Sequence, residues 1–166
     1  MTNSLNKSRL VTSVVVSAYF IYYCLTPVTW HFIDNVNLIF HEAGHVIFMF
    51  FGEFIHILGG SLFQVLFPCL FVYYFYRKQE YFSASLVLFW VGQNLINVSV
   101  YIKDAVVMQL PLLGGDNAGH DWHNLLDMTG KLHYTQVIGS SVYAAGVIII
   151  FIAIALSFSN TKSTLV

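Results

Sequence analysis

Val36-Asn37-Leu38-Ile39-Phe40-His41-Glu42-Ala43-Gly44-His45-Val46-Ile47-Phe48-Met49-Phe50-Phe51 is an apolar run that carries a His-Glu-x-x-His motif. Residues four apart share one face of a helix, so His41 and His45 can hold one metal ion together. Glu42 then projects beside an open coordination position, where it can accept a proton from water. The apolar flanks put such a site at membrane depth. Burying Glu42 with neither a metal nor a cationic partner would be costly, and no Lys or Arg lies between Arg9 and Arg77.

The rest of the chain fits that setting. Of 166 residues, 57% are hydrophobic and only 9% charged, against about 25% charged in soluble domains. This predicts an all-α, polytopic membrane protein of one domain, with four to five transmembrane helices and a possible re-entrant segment. A bacterial cytoplasmic membrane is the expected location. The net charge of −1 leaves no electrostatic footprint for nucleic acid. Cys24 and Cys69 lie in apolar segments without metal-like spacing and read as packed thiols.

Hydropathy and punctuation place the spans at about 10–25, 35–51, 61–76, 81–107 and 136–158. The first follows Lys7 and Arg9 but lacks a small-x-small cleavage pattern, so it reads as an uncleaved anchor. Asp34 or Asn35 could cap the second helix. Gly52 and Gly59-Gly60 bracket residues 53–58, which fit an extended or re-entrant piece. Pro68 is expected to kink the third span. Residues 108–119 read as a loop, followed by a short helix from His120 to Gly130. Gly139, Ser140, Ala144, Ala145 and Gly146 are expected close-packing positions on the last span. The basic residues leave orientation open. Lys7 and Arg9 favour a cytoplasmic N-terminus, but Arg77-Lys78 and Lys162 would not all share that side in a five-span arrangement.

A catalytic zinc usually takes three protein ligands plus water. The densest further supply is Gly114-Gly115-Asp116-Asn117-Ala118-Gly119-His120-Asp121-Trp122-His123. Either His120 or Asp121 can complete the set, the other orienting a histidine, capping the helix or bonding substrate. Asn94, Asn97, Tyr101 and Asp104 form an inward stripe on the fourth span, and Asp104 is an alternative ligand. His31, His56 and His133 sit near membrane boundaries and are assigned no chemistry.

Phe40-His41-Glu42-Ala43-Gly44-His45 within a span resembles the site-2-protease-like intramembrane zinc metallopeptidases. The resemblance implies zinc on His41 and His45, with Glu42 activating water. It also implies a downstream aspartate as third ligand, for which Asp116 and Asp121 are the nearest candidates. The implied function is hydrolysis of a membrane-embedded protein or peptide substrate, with the lipid bilayer as the other partner. Two other classes fit the same residues: a metalloenzyme acting on a lipid or small amphiphile, and a non-catalytic metal-binding or transport module.

Overall fold

The computed structural model describes residues 4–110 and 119–163. Among them the chain is all-α: α1 (Lys7–Leu25), α2 (Phe32–Phe48), α3 (Glu53–Arg77), α4 (Tyr81–Asp104), α5 (Asp121–Met128) and α6 (Thr135–Ser159). A two-residue antiparallel pairing joins Ser4–Leu5 to Lys162–Ser163. The segments α1, α3, α4 and Leu132–Ser159 (α6 with the turn before it) are long and apolar enough to cross a membrane. Helices suit that environment because they satisfy their backbone polar groups internally.

Side-chain contacts define the two ends of the bundle. At one end, Arg9 Nη1 donates to the Asn160 carbonyl at 3.2 Å, and the guanidinium sits 5.2 Å over the Phe82 ring. This end therefore holds the start of α1, the α3–α4 turn and the end of α6. At the other end, Gln136 Nε2 donates to the Lys103 carbonyl at 3.1 Å, which joins the start of α6 to the end of α4. Helix α2 starts at mid-depth, where Asp34 meets Gln93 and Asn97 near the middle of α4. Its far end meets the start of α3 at Gly59. The chain thus runs out along α1 and α2, back along α3, out along α4 and back along α6. Four spans lie within the expected four to five: α1, α3, α4 and Leu132–Ser159 qualify by length and composition, and the motif helix α2 is not among them.

Glycines set the helix spacing. A Cβ on Gly146 would lie 2.7 Å from the Gly92 carbonyl oxygen, and one on Gly92 would lie 2.9 Å from that of Gly146. The backbones of α4 and α6 are therefore in direct contact, the packing that drives helix association in lipid. Gly139 lies one heptad earlier on the same buried face, against Ser99 and Lys103. Ser140, Ala144 and Ala145 were expected to share this role but are exposed, because they lie off the glycine face. Phe20, Tyr23, Phe89, Ile96, Ile150 and Ala153 fill the core among α1, α4 and α6.

Residues 53–58 also depart from expectation. They are the first turns of α3, which continues through Gly59-Gly60 and the buried Pro68. The glycine pair does not break the helix; it lets α2 approach. A Cβ on Gly44 would run into the Gly59 carbonyl oxygen, and one on Gly59 would lie 2.9 Å from that of Gly44. The expected helix cap is present in altered form. Asp34 Oδ2 accepts the His31 backbone N–H at 2.7 Å from inside the first turn of α2.

Candidate metal centre

The close approach of α2 and α3 creates the space in which the two motif histidines meet. A Cβ on Gly60 would stand 2.5 Å from His45 Nε2 and 2.7 Å from His41 Nε2, so both rings lie directly over a bare stretch of α3 backbone. Asp121, the first residue of α5, enters from the end of the bundle where α4 finishes. Its Oδ2 lies 2.8 Å from His41 Nε2 and 3.2 Å from His45 Nε2, and the two Nε2 atoms are 3.2 Å apart. His41, His45 and Asp121 form the only such metal-capable group among the described residues.

The outer ring nitrogens decide what this triangle needs. His41 Nδ1 lies 3.2 Å from Gln64 Oε1, whose amide nitrogen donates onward to Asn97 Oδ1 at 2.8 Å. His45 Nδ1 lies 2.9 Å from the His56 carbonyl oxygen. Both outer partners are acceptors, so in each neutral ring Nδ1 carries the proton and Nε2 presents a lone pair. Two lone pairs and a carboxylate oxygen then face one another without a proton donor between them. Such a triangle is stable only around a positive charge, whether a proton or a metal ion. Metal bonds of about 2.0–2.2 Å in a tetrahedron separate ligand atoms by roughly 3.3 Å, close to the spacing found here.

The surroundings fix Asp121 as a carboxylate. Burial alone would push its pKa up, but the two imidazoles beside it outweigh that once they share a positive charge with it, and hold it below the ordinary value. Its backbone N–H donates to Tyr101 Oη at 3.0 Å, and Trp122 Nε1 donates to Ser61 Oγ at 3.0 Å, seating α5 against α4 and α3.

His120 lies outside the triangle. It is fully buried, its Nε2 lies 3.3 Å from Asp104 Oδ2, and its Nδ1 accepts the His123 N–H that opens α5. Burial holds its pKa below the usual histidine value, against the opposing pull of Asp104. Asp104 also accepts the N–H groups of Gln109 and Leu110, so it ties down the chain after α4 and is not in the metal-capable group. His123 Nδ1 is taken up by the Ala105 carbonyl. Asp116 lies outside the described residues.

A cavity of about 660 Å³ opens beside the triangle, lined by Glu42, His56, Gln64, Asn97 and Tyr101 as well as the three ligand candidates. That is within the roughly 300–1,000 Å³ range of ligand pockets. Of the expected inward stripe, Asn97 and Tyr101 face this space, whereas buried Asn94 donates to the Trp90 carbonyl of its own helix. Asn97 is already engaged on both sides, donating to Asp34 Oδ1 at 3.0 Å and accepting from Gln64. Buried Asp34 also accepts Tyr23 Oη and Gln93 Nε2, both at 2.8 Å. A continuous chain, Asp34–Asn97–Gln64–His41, therefore holds the first histidine in its tautomer and orientation.

Sequence reasoning assigned no role to Gln64 or the His56 carbonyl and read Gly60 only as part of a break. Gln64 did carry a signal, being a lone amide in an apolar span, where polar groups tend to face a functional interior. The backbone carbonyl carries none. Comparison of the chain with family models, curated proteins and solved structures finds no match.

Proposed function

We propose that this chain is a zinc-dependent intramembrane peptidase of the site-2-protease-like kind, holding zinc through His41, His45 and Asp121. The observation that carries this reading is the triangle of lone-pair atoms without a donor, set on a His-Glu-x-x-His helix beside a cavity. Two imidazoles and one carboxylate are a standard catalytic zinc set that leaves room for reactants. When bound, zinc supplies Lewis acidity toward the scissile carbonyl and makes water easier to deprotonate.

The chain's own residues supply the proton movements. Glu42 is exposed to the cavity one residue from His41. It takes a proton from the attacking water as the oxygen bonds to the carbonyl carbon. It then delivers that proton to the amide nitrogen as the C–N bond breaks, leaving a carboxylic acid and an amine. Tyr101 faces the same space. Its oxygen already accepts the Asp121 N–H, and no acceptor for its own O–H is found among the described residues. Its ring is held 4.4 Å from that of His120. We assign this O–H as the donor to the carbonyl oxygen as negative charge develops there.

Tyr101→Phe should lower kcat on the order of 10²–10³-fold, the usual effect of removing one such donor. KM should stay unchanged, and kcat is read on zinc-saturated protein because the Asp121 N–H loses its acceptor. Unaltered kcat would remove Tyr101 from the reaction.

The reading as a whole is tested in proteoliposomes against a membrane-embedded peptide and a panel of phospholipids, with zinc supplied or chelated. Zinc-dependent peptide cleavage is the expected result. Cleavage of lipid alone would make the protein a lipid-directed metalloenzyme. Turnover of neither, by zinc-loaded protein, would favour a non-catalytic metal-binding module.

A further inference from the structure

The path of the chain through the bundle sorts its charges in a way that linear counting could not. Of seven basic residues, Lys7 and Arg9 lie at the start of α1, Arg77 and Lys78 at the end of α3, and Lys162 just beyond α6. The Arg9–Asn160 and Arg9–Phe82 contacts bring all five to one end of the bundle, with Glu80 as their acidic companion among the described residues. The opposite end holds Lys103 and Lys131 with Glu53, Asp104, Asp121 and Asp127. Lys103 counts for less still, because its stem packs on Gly139 and its ammonium lies 5.1 Å over the Tyr143 ring.

A second feature marks the basic end. Tyr73, Tyr74, Tyr76 and Tyr81 are all exposed beside it. Exposed tyrosines settle at the headgroup level of either leaflet, and Tyr134 is exposed at the other end, so they mark the depth of this end while the charges alone give its side. Anionic lipid on the cytoplasmic face attracts such a basic surface, and an excess of Lys and Arg in short connections sets orientation in the same sense.

We infer that the end bearing Lys7, Arg9, Arg77, Lys78 and Lys162 sits on the anionic cytoplasmic leaflet, and that the metal-site cavity opens toward the opposite, non-cytoplasmic side. Toward that end the cavity is lined by His56 and Ile57 near the start of α3, Leu110 after α4, and Gly119 and Asn124 around α5. It also reaches the α1–α2 connection at Pro27–Trp30, away from the basic end. A reacting segment must therefore reach His41 and Asp121 from the non-cytoplasmic half of the bilayer. This does not depend on the peptidase reading, since it rests on charge and topology alone.

The test uses the native chain in intact cells, treated with a membrane-impermeant amine-acylating reagent and analysed by peptide mass. Lys131 should be modified, while Lys78 and Lys162 stay unmodified until the membrane is opened. A parallel probe puts a single cysteine at Lys78→Cys or Lys131→Cys, with Cys24 and Cys69 replaced by serine. Only Lys131→Cys should react with an impermeant maleimide from outside. Labelling of the Lys78 end in intact cells by either probe, alone or together with Lys131, would overturn the inference. Neither readout needs zinc or hydrolysis, so failure here and failure of the peptidase reading are told apart.

Discussion

Glu42→Gln is expected to abolish peptide hydrolysis while leaving the zinc content at the wild-type value. Glutamine keeps the size of the side chain and its place in the cavity, but an amide cannot accept and return a proton. General-base catalysis contributes on the order of 10²–10⁴-fold, or about 3–5 kcal/mol of barrier, and the whole of that contribution should be lost. Metal content should not follow, because Glu42 is outside the His41–His45–Asp121 group. The measurement is turnover of an embedded peptide alongside metal analysis of the same detergent-purified sample. Activity retained at the wild-type level would end the general-base role. Loss of zinc together with activity would instead make Glu42 part of the metal's own support. Glu53 offers no substitute base, since it lies exposed in the first turn of α3 and is not among the residues lining the cavity.

The contrast between Glu42 and its surroundings shows what the linear sequence could reveal. His41, Glu42 and His45 were legible because helical spacing alone brings i and i+4 together, whatever the rest of the fold does. The choice between His120 and Asp121 was not. Adjacent residues at a helix start point about 100° apart, and which one faces the site depends on partners far away in sequence. Here Asp104 engages His120, while Ser61 and Tyr101 hold Trp122 and the Asp121 backbone.

Glycine misled for a related reason. In water Gly59-Gly60 reads as a break. Within an apolar bundle the helix is kept intact by its own hydrogen bonds, and the missing side chains serve as a contact surface for Gly44 and a floor for the two imidazoles. Hydropathy treats α2 as a span of its own, whereas it is not among the four helices long and apolar enough to cross. Only the Tyr23–Asp34 and Asp34–Gln93 bonds reveal that α2 takes over at mid-depth where α1 stops.

The assignment of the third ligand yields the sharpest graded series. Asp121→Ala should remove zinc, leaving two histidines that share one face of α2 but lack an anionic partner. His120→Ala should keep one zinc per chain. The cost there falls on the start of α5, which loses the Nδ1 acceptor for the His123 N–H and the contact with Asp104, so thermal stability should fall while stoichiometry holds. Gln64→Ala should lie between the two. Removing the group that orients a metal-bound histidine typically weakens affinity about 10–100-fold, and Gln64 Oε1 is the group that fixes His41 Nδ1. Competition against a chelator of known affinity, on folded protein in detergent, ranks all three variants. The expected order of zinc affinity is wild type, closest to His120→Ala, then Gln64→Ala, then Asp121→Ala with no measurable site. If His120→Ala lost the metal while Asp121→Ala retained it, the triangle would not be the zinc site. The contacts among His41, His45 and Asp121 would then mark a proton shared within the bundle, and the peptidase reading would lose the observation that carries it.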